Sequence, residues 1–264
     1  MSIIRIEEPS DPRLAPYFNL RSGQTSPDSF IVESVRLVER LLDSRFPIKS
    51  LLVTESKVDA VLNRVEGDVP IYVVSKSHLR ETVGFDLHRG CLAHAAAPKL
   101  DLECHLSAHK PSLVVLLEGL ADPANIGAII RNAAAFGAQL VIADPKGASP
   151  YTRKATRASA GQIFNVPVTL CEPIKAVELL REFLDSVQVI AATGRRGTAS
   201  LQDIQISKLH NVLVIGNEGS GITEELRSKS DESGRIPIAE HVDSLNAAAA
   251  SAVALHMIGA RMAD

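Results

Sequence analysis

Leu113–Leu117 is an unbroken apolar run, with no polar position left to face water. A strand of that kind is buried on both faces, which is the hallmark of parallel sheets covered by helices on either side. Leu140 to Ala143, Val187 to Ala192 and Val212 to Ile215 repeat the pattern, with helical stretches between them. The spacing predicts helices over Asn125 to Phe136, stopped by Gly137, over Thr152 to Ala160, and over Pro173 to Leu184 behind an N1-type proline. A short helix at Thr223 to Ser228, a brief strand at Ile236 to Ile238 and an alanine-rich helix from Ser244 to Ile258 close the series. Such alternation implies an α/β fold with a mostly parallel sheet and ligands at the carboxyl ends of its strands.

The chain has 264 residues, more than one typical domain needs. Ahead of the regular pattern lies a small α/β region. Ile31, Val35, Val38, Leu41 and Leu42 fall at helical spacing within Phe30 to Leu42, and β-rich runs follow at Ser50 to Thr54 and Ile71 to Val74. Residues 1–28 hold several prolines and read as an irregular lead-in. The composition shifts between Ala95 and Lys110-Pro111, as an interdomain linker would. The expected division is an N-terminal domain over 1–107, a linker to about 111, and a second domain over 112–264.

Composition narrows the function classes. Aromatic residues are 4% of the chain and tryptophan is absent, so the cores must be aliphatic, and few rings remain for stacking on bases. The net charge of −3 means that any grip on nucleic acid comes from a local patch. Lys146, Arg153, Lys154 and Arg157 form one such cluster and Arg195 with Arg196 another, although a solvated face would read the same way. Three separated cysteines outline no disulfide framework, no run is long enough to span a membrane, and Met1 to Glu8 lacks a signal-peptide core. The expected compartment is the cytoplasm.

Three segments put glycines and polar side chains directly behind apolar strands. The first runs from Glu118 through Asn125 and Arg131 to Gly137; an N-cap plus a surface arginine would explain it without chemistry. The second is Gly216-Asn217-Glu218-Gly219-Ser220-Gly221, where glycines let backbone approach a ligand closely. The third runs from Arg235 through Ile236-Pro237-Ile238 to Ser244-Leu245-Asn246, where Ser244 could simply cap the last helix. The glycine spacing is neither the dinucleotide fingerprint nor a phosphate loop, which disfavours a nicotinamide-dependent enzyme. His88, Cys91, His94, Cys104, His105 and His109 have loose zinc-like spacings but no CxxC pair, so no metal is expected.

Taken together, the three segments resemble the three ordered motifs of the SpoU (TrmH-like) family of knotted SPOUT RNA methyltransferases. The similarity covers about residues 112 to 260. Ser149 to Gly161 is similar to a further stretch common in the family, and Phe30 to Glu39 resembles, more loosely, its attached substrate-binding domain. Glu240-His241 stands where members commonly carry a glycine, and alanine replaces the usual valine-rich start of the last helix. The resemblance implies a C-terminal trefoil knot, a homodimer with active sites near its interface, and S-adenosylmethionine held by backbone around Thr193, Gly194, Gly216, Ile236, Ile238 and Leu245. It implies 2′-O-methylation of RNA, ribosomal rather than transfer RNA, by Arg131 with Asn125, Glu218, Ser244 and Asn246, while Arg153, Lys154 and Arg157 contact the RNA. A noncatalytic RNA-binding protein that kept the knotted fold is the alternative; an intact polar set argues against it.

Overall fold

The computed structural model describes residues 2–20, 26, 28–87 and 90–262, with side chains through 259. His88 lies outside the described residues. The chain forms two compact units, one of residues 1–98 and 151–164, the other of 99–150 and 165–264.

In the first unit β1 (Ser2–Arg5) is followed by a 3-10 helix, Pro12–Tyr17, then β2 (Ser29–Glu33), α1 (Val35–Leu42), β3 (Ile48–Thr54), α2 (Val58–Leu62), β4 (Pro70–Val74), α3 (Lys76–Val83) and β5 (Cys91–Ala96). Its sheet has the order β1-β4-β3-β5-β2, with β5 antiparallel to both neighbours. The lead-in is therefore not irregular: β1 pairs with β4, and Leu14 and Tyr17 are fully buried. The Tyr17 hydroxyl meets the Ser50 carbonyl at 3.0 Å, which satisfies a phenol that burial would otherwise strand.

Phe30 to Leu42 is likewise not one helix. The chain is extended to Glu33, turns at Ser34, and only then becomes α1. Ser34 has φ 90° and ψ 144° and is buried, a conformation essentially reserved for glycine. Holding a side chain there costs roughly 1–3 kcal/mol. Its hydroxyl accepts from Leu37 N at 3.5 Å, too long to recover much. Ser34→Gly is therefore expected to stabilise the protein by about 1 kcal/mol after the extra chain entropy of glycine, raising Tm by about 2–4 °C. A melting curve that fails to rise would mean that the turn is unstrained.

The second unit begins with α4 (Leu102–Ala108), inside the span expected to be tail and linker. Leu102 and Leu106 bury themselves beside Val114 and Leu116, so this amphipathic turn belongs to the second core and the first unit ends at Pro98 rather than at 107. Then come β6 (Leu113–Leu117), α5 (Pro123–Ala135) and β7 (Leu140–Ala143). The chain next lends α6 (Arg153–Ala158) and a 3-10 turn at Gln162–Phe164 to the first unit. It returns with β8 (Val168–Leu170), α7 (Pro173–Phe183), β9 (Val187–Ala192), β10 (His210–Ile215), α8 (Glu224–Ser228), β11 (Glu232–Gly234) and α9 (Ala247–Met262).

This sheet is parallel throughout, in the order β11-β9-β10-β6-β7-β8. Alternate residues of its central strands, Val114, Leu116, Val212 and Val214, pack against Leu106, Ala176, Leu180 and Leu226 from α4, α7 and α8. On the other side α5 and α9 pack against one another. Asn132 of α5 donates from Nδ2 to the Ala248 carbonyl and the Ser251 hydroxyl, both at 2.8 Å. The alanines at the start of α9 let the two backbones come that close. Ile236–Ile238 forms no strand, because the pairing with β9 is taken four residues earlier by β11.

Candidate cofactor pocket

Three strand ends of the second unit, and the segment entering α9, converge on one cavity of about 460 Å³. Thr193 and Gly194 follow β9, Gly216 through Ile222 follow β10, and Ile236, Ile238, Ser244 and Leu245 come from the returning chain. All six residues expected to hold a cofactor line it. Backbone dominates the wall, since glycine leaves amides and carbonyls uncovered.

The loop after β10 is fixed by its own hydrogen bonds. Asn217 N donates to the Gly221 carbonyl at 3.1 Å, and Gly221 N donates back to Asn217 O at 3.0 Å. Gly221 has φ 72°, the left-handed turn this closure needs. Asn217 Oδ1 accepts from Gly219 N at 2.8 Å and Ser220 N at 3.0 Å, while its Nδ2 donates to Gly119 O at 2.7 Å. A second stitch joins the same two loops: Glu118 accepts from Thr223 N at 2.8 Å and from Thr223 Oγ1 at 2.7 Å. Glu118 and Asn217 were not among the expected site residues. A carboxylate set directly behind a buried strand must find donors, and that was the available signal for Glu118.

Glu218 bridges back to the start of α5. Its carboxylate accepts from Ala121 N at 3.2 Å, Asp122 N at 3.4 Å and Asn125 Nδ2 at 2.8 Å. Asn125 Oδ1 in turn accepts from Asn246 Nδ2 at 3.0 Å. Asn246 Oδ1 accepts from Ala248 N at 2.9 Å and so caps α9 in place of Ser244. Each amide orientation forces the next: capping turns the Asn246 oxygen toward the helix, its nitrogen meets the Asn125 oxygen, and the Asn125 nitrogen meets Glu218. Three side chains from three separate segments thus form one directional relay.

Partial burial pushes the Glu218 carboxyl upward, but the hydrogen bonds from Asn125 and from backbone amides outweigh it and hold its pKa below the ordinary value. The group is an anion at neutral pH. Because the folded pKa is depressed, the stability it contributes is present above the unfolded value, near 4.3, and is lost as pH falls through the folded one. Glu218→Gln sets an NH2 against donors, and is expected to cost about 1 kcal/mol at pH 7. Urea midpoints would report it, and the gap from wild type should narrow below pH 4; a gap constant with pH would refute an ionised Glu218.

Ser244 lines the cavity and is exposed. Arg131 is exposed on α5, and among the described residues its guanidinium has no hydrogen-bond or ion-pair partner. The relay does not include it. Arg153 and Arg157 lie in the first unit. Arg153 Nε stands 3.0 Å from the buried Glu33 Oε2, at an angle outside hydrogen-bond geometry; its Nη1 donates to Leu20 O at 2.7 Å, and its guanidinium covers the Phe85 ring at 4.8 Å. Such a guanidinium is structural. Arg157 shares Glu33 at 3.0 Å but stays 59% exposed, and Lys154 is exposed. In the second cluster, Arg195 pairs with Glu224 at 3.2 Å and Arg196 donates to Glu240 O at 2.6 Å. Among the described residues, no three His, Cys, Asp or Glu side chains gather as metal ligands.

A parallel α/β unit whose strand ends gather glycine turns and paired amides around one cavity is a small-ligand-binding domain. Residues 112–256 match the model of the SpoU rRNA methylase family, which is over half of the chain. The chain belongs to that family. An uncharacterized tRNA/rRNA methyltransferase of Mycobacterium tuberculosis is 31% identical over 258 residues, covering 94% of this chain and 89% of the relative. Among solved structures, an AdoMet-bound rRNA methyltransferase from Sinorhizobium meliloti has a TM-score of 0.83 at 25% identity over 97% of both chains. The SpoU methyltransferase AviRb from Streptomyces viridochromogenes gives 0.80 at 25% identity, over 96% of this chain and 98% of its own.

Proposed function

We propose that the protein transfers a methyl group from S-adenosylmethionine to a ribose 2′-hydroxyl of RNA, ribosomal RNA rather than transfer RNA. The observation that carries this reading is the Glu218–Asn125–Asn246 relay standing against a backbone-lined cavity. Family membership and the AdoMet-bound relative support the cofactor and the RNA methyltransferase class. The cavity itself fits it: about 460 Å³ is within the range of small-ligand pockets, and its uncovered amides and carbonyls suit an adenosine, while Ile222, Ile236 and Leu245 give an apolar surface for a base.

S-adenosylmethionine supplies a methyl carbon activated on a sulfonium. The residues of this chain position the acceptor. Glu218 orients Asn125, which orients Asn246, and Ser244 offers a hydroxyl at the rim. Arg131 holds the phosphate beside the reacting ribose with its planar fork and stabilises negative charge developing on the oxygen. The Arg131 guanidinium offers donors and no acceptor, and the Glu218 oxygens are already engaged by three donors, so neither is the base. The proton leaves through the phosphate that Arg131 holds.

Lys154 and the exposed Arg157 contact the RNA from the first unit, whereas Arg153 keeps that unit folded. The chain between β11 and α9 lines the same cavity as the loops after β9 and β10, which supports the trefoil knot that the family resemblance implies. Val242 and Leu245, two large apolar side chains between β11 and α9, are exposed, which favours a homodimer, and among the described residues no helix is long and apolar enough to cross a membrane.

The test is transfer of tritiated methyl to deproteinised ribosomal and transfer RNA, followed by alkaline hydrolysis. A 2′-O-methyl group blocks cleavage at its own nucleotide, so label is expected in alkali-resistant dinucleotides of ribosomal RNA. Label recovered in mononucleotides would point to a methylated base and overturn the ribose assignment; label confined to transfer RNA would overturn the substrate.

A further inference from the structure

Three ionisable side chains line the cavity, and two of them have their charge engaged. Glu218 is held by two amides and Asn125, and Arg195 pairs with Glu224 at 3.2 Å. The third, Asp243, is exposed at the wall and has no hydrogen-bond or ion-pair partner among the described residues. It stands across from the loop after β9: a Cβ placed on Gly194 would lie 4.0 Å from the Asp243 carbonyl. Arg195 follows in that same loop. One rim therefore brings together an acidic and a basic side chain from two different segments.

The geometry points to Asp243 as the residue that binds the α-ammonium of the methyl donor's amino-acid tail, a role resting on the cofactor reading above. An unengaged carboxylate in the wall favours a cation. The donor carries two cationic centres, the sulfonium and the ammonium. The sulfonium belongs with the acceptor hydroxyl, on the side organised by Glu218, Asn125 and Asn246, where an additional carboxylate would stabilise the donor's charge before transfer and slow the reaction. The ammonium is the other cation, and Asp243, the cavity-wall charge left unengaged among the described residues, complements it. Asp243 thereby discriminates in favour of ligands that keep the amino-acid tail.

The experiment is calorimetric titration of the full chain with S-adenosylmethionine, S-adenosylhomocysteine and 5′-methylthioadenosine. Of these, the second lacks the sulfonium but keeps the ammonium, and the third lacks both. Asp243→Asn is expected to weaken the first two alike, by about fivefold for a partly solvated ion pair, and to leave the third unchanged; Asp243→Glu should restore most of the loss. Unchanged binding of S-adenosylmethionine, or equal weakening of all three, would overturn the assignment. Weakening of S-adenosylmethionine alone would overturn it too, by moving the carboxylate to the sulfonium. A wild-type protein that binds none of the three would instead remove the cofactor reading, and is told apart by that first titration.

Discussion

Gly216→Ala is expected to weaken S-adenosylmethionine binding by at least about 100-fold, the equivalent of roughly 2.7 kcal/mol. A Cβ at this position would lie 2.4 Å from both Gly221 C and Ile222 N, distances no real Cβ tolerates. Both neighbours are backbone, so no side chain can swing aside. The loop must open, which breaks the paired bonds between Asn217 and Gly221 and shifts Glu218 away from Ala121, Asp122 and Asn125. Overpacking of this kind costs about 1–3 kcal/mol even where relaxation is possible. Gly259→Ala is the control: it lies in α9 and does not line the cavity, its nearest neighbour would be Phe136 O at 3.6 Å, an ordinary contact, and binding should stay within about twofold. Titration calorimetry with both variants, beside circular dichroism to show folded protein, checks the claim. Normal affinity in Gly216→Ala would mean that the loop after β10 does not form the cofactor wall.

The parts of the fold that sequence conveyed are those set by local chemistry. β6, β7 and β9 span the apolar runs read from the sequence, because strands buried on both faces have nothing but their own side chains to specify them. The helices read as beginning at Thr152 and Thr223 begin one residue later, with those threonines as their N-caps. What escaped was decided at a distance. Ile31 fits a helical period with Val35 and Val38, yet its backbone is claimed by β5, and only the buried turn at Ser34 separates strand from helix. The edge strand falls on Glu232–Gly234 instead of the more apolar Ile236–Ile238, since partner and register come from β9. Arg153 read as a surface cation because nothing local reveals Glu33, a buried carboxylate 120 positions earlier in the chain. At the pocket, the lining residues came from the family resemblance that the three ordered motifs carry, whereas the stitching of Glu118 to Thr223 and of Asn217 to Gly119 depends on two loops meeting in space.

Arg131→Lys should lower the single-turnover rate of methyl transfer by about 100-fold or more while leaving S-adenosylmethionine affinity within about twofold. Asn125 and Arg131 share α5, but only Asn125 is drawn into the relay; Arg131 faces solvent with its guanidinium unengaged by any described residue. A helix gains nothing measurable from such a side chain, so its replacement should shift stability by no more than about 0.5 kcal/mol. Lysine keeps the charge and much of the reach, and for that reason it isolates the fork. If Arg131 acted only as a positive charge steering RNA, lysine would preserve the rate and salt would suppress wild type and variant alike. If it grips a phosphate through two parallel N–H groups and stabilises charge on the attacking oxygen, a point charge cannot substitute. Rate and affinity then separate: the rate falls, cofactor titration and melting curves stay as in wild type, and excess RNA does not recover the lost turnover. A lysine variant that turns over at the wild-type rate would remove Arg131 from the chemistry and leave the Glu218–Asn125–Asn246 relay as a structural tie between α5, α9 and the loop after β10.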